Sequence, residues 1–294
     1  MNQPQPRSVP LGGRRAIVTG GAQGLGRAFA TVFAQAGAAV AVCDTRPEVE
    51  ELASLGWAAV ADVCDPVVVR SFVDEAAARL GGIDIVVNNA GIIRQTSPAD
   101  DPWERAIDDF DAVVGANYRG GYLVGRAAIP HLIRRGGDII NITSDHVHTC
   151  GYPEAIDHAD APDCRWAGTR RPPLGGPRYD VYDSSKWALH GLTHVWARAL
   201  AGHGVRVNSV GMGATDTPMI RDHLAAKGAP PPPGLMAPEQ VADVVVELIA
   251  EGPDGRTGDH VQLWLDHPCR LPPVGLDGRL AASQQAHSTR MESR

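Results

Sequence analysis

The chain is poor in cysteine, in aromatic residues, in positive charge and in long apolar runs. Its five cysteines, Cys43, Cys64, Cys150, Cys164 and Cys269, are odd in number, scattered and without a C-x-x-C pair, which argues against a disulfide framework and for a reducing compartment. No stretch approaches the roughly 18 consecutive apolar residues of a membrane span. The opening segment MNQPQPRSVPLGGRR has no apolar core of the secretion-signal type, so a cytoplasmic protein without a membrane partner is expected. Lys and Arg number 27 against 34 Asp and Glu, a net charge of −7. Nothing draws such a molecule as a whole to a phosphate backbone, and no nucleic-acid partner is expected. What is present is ordinary globular composition, 44% hydrophobic and 21% charged over 294 residues, enough for a large core and unlike a disordered chain.

From residue 15 onward, short β-rich runs alternate with segments of helical period, the pattern of βαβ units around a parallel sheet. Strands are expected over 16–20, 38–44, 57–63, 83–89, 138–144, 205–210 and 260–265. Several are nearly all apolar, as strands buried on both faces are. Between the first two, Leu25, Phe29, Val32, Phe33 and Ala36 recur at helical spacing, and Gly37 ends the pattern. The fold class is α/β, a doubly wound, mostly parallel seven-stranded sheet with helices on both faces. It occupies a single domain over 15–266, with an extension over 1–14 and a tail over 267–294. Three segments break the rhythm, one of them the tail over 267–294, which is polar after Pro273. Residues 145–178 are rich in Pro, Gly, His and both charge signs and are too long for a routine connection. Residues 211–237 carry Pro230, Pro231, Pro232 and Pro233 before Pro238 opens a helix.

The first strand runs into Thr19-Gly20-Gly21-Ala22-Gln23-Gly24-Leu25-Gly26, inside which a helix begins. Glycines there turn the chain sharply, bring backbone N–H groups against a pyrophosphate and let the helix pack close to the sheet. The helix N-terminus adds a favourable dipole. Asp44 ends the second strand about twenty residues on, where a carboxylate accepts both ribose hydroxyls of an adenosine and repels a 2′-phosphate. Gln23 puts no cation in the loop, whereas Arg46, two residues past Asp44, is placed to relieve part of that repulsion. NAD is therefore favoured over NADP. The other reading of Asp44 is a residue that merely ends a strand or caps the next helix.

Val181-Tyr182-Asp183-Ser184-Ser185-Lys186 opens a helix with the apolar stripe Leu189, Leu192, Trp196 and Leu200. Tyr182 and Lys186, four apart, rise on one face at roughly 6 Å from each other. An ammonium so placed lowers a phenol from its usual pKa of about 10, which suits a tyrosine that exchanges a proton with an alcohol near neutral pH. Alone, this spacing is common by chance. Ser144, however, ends the fifth expected strand, and in a doubly wound sheet ligands lie beyond the carboxyl ends of the strands.

Taken in order, the glycine loop, Asn88-Asn89-Ala90-Gly91 after the fourth strand, Ser144 and the Tyr182/Lys186 pair resemble the short-chain dehydrogenase/reductase family over 15–265. The resemblance implies a Rossmann-type fold and an NAD-dependent oxidoreductase that interconverts a secondary alcohol and its ketone. It makes Tyr182 the general acid/base, which takes the hydroxyl proton as hydride leaves the carbon for C4 of the nicotinamide. It puts Lys186 on the ribose hydroxyls and Ser144 on the substrate oxygen. Asn117, in Asn117-Tyr118-Arg119-Gly120, would support a water-linked proton relay to the lysine.

The same resemblance places Gly20, Gln23, Gly24, Leu25, Gly26 and Asp44 around the cofactor, together with Tyr182 and Lys186. Asp62 and Val63 would lie at the adenine, Asn89 and Gly91 along the nicotinamide side, and Thr217 near the nicotinamide amide and phosphate. It also implies a homo-oligomer, tetramer or dimer, joined through the helices that bear Asn117 and Tyr182. Helical spacing adds that Trp103, Ile107, Phe110 and Val114 share a face with Asn117, so an amide there is expected to be buried and in need of partners.

The chain departs from the family pattern in three places. Met212-Gly213 replaces the usual Pro-Gly, so that loop is expected to be aimed differently, and Leu265-Asp266-His267-Pro268 replaces an Asp-Gly-Gly turn. Ser144 and Tyr182 are separated by 37 residues, more than the family norm. Anchored beside both, residues 145–178 are read as a substrate-side cover, and Tyr152 and Trp166 favour a ring-bearing or bulky alcohol; a surface insertion is the other reading. His146, His148, Cys150, His158 and Cys164 match no zinc spacing, and no metal is expected. The alternative function is a non-catalytic NAD-binding sensor or scaffold on the same fold, against which the full Asn117, Ser144, Tyr182 and Lys186 set argues.

Overall fold

In the computed structural model, seven strands form one sheet in the order β3-β2-β1-β4-β5-β6-β7. They are β1 (Arg15–Thr19), β2 (Ala39–Asp44), β3 (Gly56–Val60), β4 (Ile85–Asn88), β5 (Gly137–Ile142), β6 (Val205–Met212) and β7 (His260–Leu263). Every pairing is parallel, so the described sheet is wholly rather than mostly parallel. The structure describes residues 10–147, 179–226, 228, 230, 231, 234–264 and 269–272. Residues 148–178 of the expected cover, with His148, Cys150, Tyr152, His158, Cys164 and Trp166, lie outside the described residues, as do residues 1–9 and most of the tail.

Parallel neighbours need crossovers, and helices supply them: α1 (Gly24–Gln35), α2 (Pro66–Leu80), α3 (Trp103–Val114), α4 (Gly121–Leu132), α5 (Asp180–Leu200), α6 (Pro218–Ala226) and α7 (Pro238–Ala250). Two apolar layers result. Phe29 and Phe33 of α1 and Val241, Val245 and Leu248 of α7 pack on one face of the sheet with Val18, Val40 and Val87. Phe72 and Val73 of α2, Val124 of α4 and Leu189 and Trp196 of α5 cover the other with Ile17, Val86 and Ile139. Full burial of one such side chain contributes about 1.5–3 kcal/mol. This is why the strands read as continuous apolar runs.

Strand order reverses between β1 and β4, so the loops leaving their carboxyl ends part and open a crevice. Most strand ends differ from the expected ones by a residue or more, and three of the differences bear on that crevice. β5 stops at Ile142, so Ser144 does not end the strand as expected but stands two residues past it. β3 stops at Val60, which leaves Asp62 and Val63 in a turn where Asp62 Oδ1 accepts from the Cys64 N–H at 2.8 Å. β6 runs two residues past Val210, with Met212 paired to Leu263 and its carbonyl accepting from Asp145 N at 3.1 Å. Methionine keeps the backbone N–H that proline lacks, so the ladder continues.

Candidate active site

The glycine loop is stapled to the strand across the crevice. Thr19 Oγ1 accepts from the backbone N–H groups of Asn89 and Ala90 at 3.1 and 3.0 Å. Asn89 Nδ2 in turn donates to the Thr19 and Gly20 carbonyls at 2.9 and 3.1 Å. Gly20 sits at φ +68°, where a Cβ would also lie 2.8 Å from Ala90 Cα; a Cβ on Gly26 would run into the Gly20 carbonyl. At the end of β2, Asp44 accepts from Ala22 N and Arg46 N, both at 3.0 Å. The Arg46 guanidinium bonds Gln23 Oε1, and among the described residues it makes no ion pair with Asp44.

On the other side of the crevice α5 presents Tyr182 and Lys186. Thr96 Oγ1 donates to Asp180 Oδ1 at 2.5 Å and anchors the start of this helix. Lys186 is 5% exposed, its Nζ donates to the Ile142 carbonyl at 2.9 Å, and it lies 5.7 Å from the centroid of the Tyr182 ring. Burial pulls the lysine down to about 8. Burial also pushes the Tyr182 phenol up to about 12; a hydrogen bond with Ser144 works the other way, and the charges of Asp145 and Asp183 raise it further. The expected lowering of the phenol by the ammonium is therefore not found in the ligand-free chain. Desolvation disfavours the charged form of both groups and is the largest influence on each.

Asn117 is 1% exposed and lies in a π-helical turn, Gly115–Gly120, between α3 and α4. Its Oδ1 accepts from Ile92 N at 2.7 Å, and its Nδ2 donates to Ile92 O and Ser185 Oγ, both at 3.0 Å. Ser185 Oγ donates to the Tyr182 carbonyl at 2.7 Å, so the amide ties the segment after β4 to the turn of α5 that carries Tyr182. The amide is buried as expected, but not through the face proposed for it: Trp103, Ile107 and Phe110 are 74%, 40% and 49% exposed. The buried line is Asp109, Val113 and Asn117, with Asp109 held by Arg94 at 2.7 Å and by Arg105 at 3.4 Å. An ion-paired carboxylate lies inside with Val113, while Trp103, Ile107 and Phe110 face out.

Two adjoining cavities join these parts. One of about 520 Å³ is bounded by Asp44, Arg46, Asp62 and Val63. The other, about 310 Å³, is bounded by Gly24, Leu25, Gly26, Asn89, Ser144, Tyr182, Lys186 and Thr217. Both share Gly20, Gln23, Ala90 and Gly91. Every candidate residue except Asn117 therefore lines the cleft. The glycine cradle that side chains would fill, and the carboxylate fixed at the end of β2, fit a dinucleotide. Sequence reasoning missed His146 as a wall of this site; its Nδ1 lies 2.6 Å from Asp183 Oδ1 and its ring stands edge-on to Tyr182, centroids 5.8 Å apart. No spacing rule pairs residues on either side of a long aperiodic segment.

A family model described as short chain dehydrogenase matches residues 14–154, and one described as Enoyl-(Acyl carrier protein) reductase matches residues 173–263. The 3-oxoacyl-[acyl-carrier-protein] reductase of Thermotoga maritima is 30% identical over 262 residues, covering 84% of this chain and 95% of that protein. The chain belongs to the short-chain dehydrogenase/reductase family. Another relative in the family, the 4-formylbenzenesulfonate dehydrogenase of Comamonas testosteroni, is 34% identical over 264 residues, with 83% of this chain and 93% of that protein covered. Among solved structures, a 3-ketoacyl-(acyl-carrier-protein) reductase from Brucella melitensis complexed with NADH superposes with a TM-score of 0.69 at 26% identity, over 87% of this chain and 98% of that one. As a short-chain dehydrogenase/reductase the chain is an oxidoreductase that uses a nicotinamide dinucleotide, NAD or NADP. Among its described residues no helix is long and apolar enough to cross a membrane.

Proposed function

We propose that this short-chain dehydrogenase/reductase is an NAD-dependent enzyme that interconverts a secondary alcohol and its ketone, with Tyr182 as general acid/base. The observation that carries the reading is that Ser144, Tyr182 and Lys186 wall the same cavity as the glycine loop. A nicotinamide, when bound, supplies the hydride-transfer chemistry. Ser144 and Tyr182 together offer two hydroxyls to one substrate oxygen. A phenol pushed up to about 12 keeps its proton at neutral pH, so Tyr182 serves directly as the proton donor when a ketone is reduced. Donation leaves a phenolate, which accepts the hydroxyl proton in the reverse direction, and Lys186 is the cation on the same helix face that favours that phenolate.

Lys186 would also hold the ribose hydroxyls. Both ends of the Asn117 side-chain amide are taken by Ile92 and Ser185, so in this reading Asn117 supports the proton relay by fixing the turn and the start of α5. Asp44 supports NAD over NADP: its carboxylate faces the larger cavity, and the nearby Arg46 guanidinium is engaged by Gln23. Apolar walls from Ile142, Met212, Met219 and Ile220 favour a substrate with an apolar body. The homo-oligomer reading is supported by exposed Tyr122 on α4 and exposed Trp187 and Val195 on α5. The test is a screen of secondary alcohols and ketones with each dinucleotide, followed through the absorbance of the reduced nicotinamide. Turnover of such pairs with NAD supports the reading; dinucleotide binding without turnover of any of them counts against it.

A further inference from the structure

The helix α6 reaches across the cofactor cleft with only half-covered residues, Ile220, His223 and Leu224, on its inner side to hold it there. None of its nine residues is buried, yet Met219 and His223 help wall the larger cavity. Its amino end rests on the glycine loop, where a Cβ on Gly24 would lie 3.3 Å from Thr217 Cβ and 3.6 Å from Pro218 Cδ. Further along the helix, His223 Nε2 stands 2.8 Å from Tyr179 Oη. Tyr179 is 7% exposed and is fixed from behind: Gln95 Nε2 donates to its hydroxyl at 3.3 Å, and a backbone bridge pairs it with Thr96. Gln95 supplies a hydrogen to Tyr179 Oη, which leaves the phenol its own hydrogen to share with His223 Nε2, the tautomer of the imidazole setting which of the two donates. A helix with no fully buried residue opens at low cost, so one well-placed hydrogen bond weighs on its position.

We propose that Tyr179 and His223 are positioning residues that hold α6 over the cofactor cleft and so set the rate at which a bound dinucleotide departs. Tyr179 does not wall either cavity and acts through His223. The assignment of departure rests on the proposed dinucleotide function; the contact between the two side chains does not. Release of product often limits turnover in enzymes with such covering elements, and here the contact would govern that step without touching the reacting atoms.

Three variants separate the contact from general damage. Tyr179→Phe keeps the ring and removes the hydroxyl, His223→Leu removes the polar partner, and His223→Gln restores one that can donate or accept. Amide hydrogen exchange over 218–226 in the ligand-free protein reads the contact directly. It should quicken about two- to tenfold in Tyr179→Phe and His223→Leu, the range for one net hydrogen bond, and return toward wild type in His223→Gln. Stopped-flow release of the reduced dinucleotide should quicken by a similar factor, with the double variant no faster than either single. Unchanged exchange over 218–226, or single effects that multiply in the double variant, would overturn the proposal. Faster exchange with unchanged release would overturn the link to departure. A wild-type protein that binds neither dinucleotide would overturn the functional reading and the departure role with it, a result that the exchange data keep distinct from failure of the contact.

Discussion

Lys186 Nζ lies 5.7 Å from the centroid of the Tyr182 ring and spends one of its hydrogens on the Ile142 carbonyl. Both groups resist ionisation, the amine titrating at about 8 and the phenol at about 12, because the site that brings them together also strips them of water. The proposed chemistry uses that pair, and the fold holds it at a cost.

The lysine has a pH signature in stability. Its folded value of about 8 lies below the ordinary 10.5, so between those limits the unfolded chain binds a proton that the folded chain has released. Stability then rises with pH across that window. Compared with Lys186→Met, the wild-type protein should gain several degrees of relative Tm from about pH 7.5 to about pH 10. Thermal melts of both proteins across the range check this, and a relative Tm that falls with pH would be the wrong sign.

In the proposed reading Asp44 selects NAD over NADP. Asp44→Ser removes the ribose acceptor and the charge that repels a 2′-phosphate, so the ratio of kcat/KM for NAD to that for NADP should fall at least about tenfold. The kinetics of wild type and variant with each dinucleotide provide the comparison. A wild-type preference for NADP would mean that Arg46 governs this end of the cleft.

Gly26 and Gly191 are both helical glycines with opposite expectations. A Cβ on Gly26 meets the Gly20 carbonyl and lies 2.6 Å from Asn89 Nδ2, whereas one on Gly191 meets nothing within 4 Å. Gly26→Ala should destabilise by about 1–3 kcal/mol and weaken dinucleotide binding. Gly191→Ala should stabilise by about 0.5–1 kcal/mol. Denaturant unfolding and dinucleotide titration measure both effects.

Assembly is read from α4 and α5. Light scattering on the purified protein should give the mass of a dimer or tetramer, and Trp187→Glu combined with Val195→Glu should lower it. A monomeric mass for the unaltered chain would remove this part of the account.

The parts of the site legible in the sequence are those whose spacing alone dictates geometry. Residues four apart on a helix share a face, so Tyr182 and Lys186 come together on any α5. The glycine loop follows β1 because only glycine fits a φ of +68° against Ala90. The π-helical turn at Asn117 is not legible in the same way, because nothing in Gly-Ala-Asn-Tyr-Arg-Gly distinguishes it from a regular turn. Apolar periodicity also misassigns Trp103, Ile107 and Phe110 to the interior, since a stripe facing a partner and a stripe facing the core have the same period. The contacts His146 to Asp183 and Tyr179 to His223 join residues 37 and 44 apart, distances over which no local rule operates.

Tyr182→Phe tests the central claim most directly. The ring still packs but the proton is gone, so turnover of an accepted alcohol or ketone should fall about 10²- to 10⁴-fold. The dissociation constant for the reduced dinucleotide should stay within about threefold of wild type. Turnover at the wild-type rate in this variant would contradict the assignment of Tyr182 as the general acid/base.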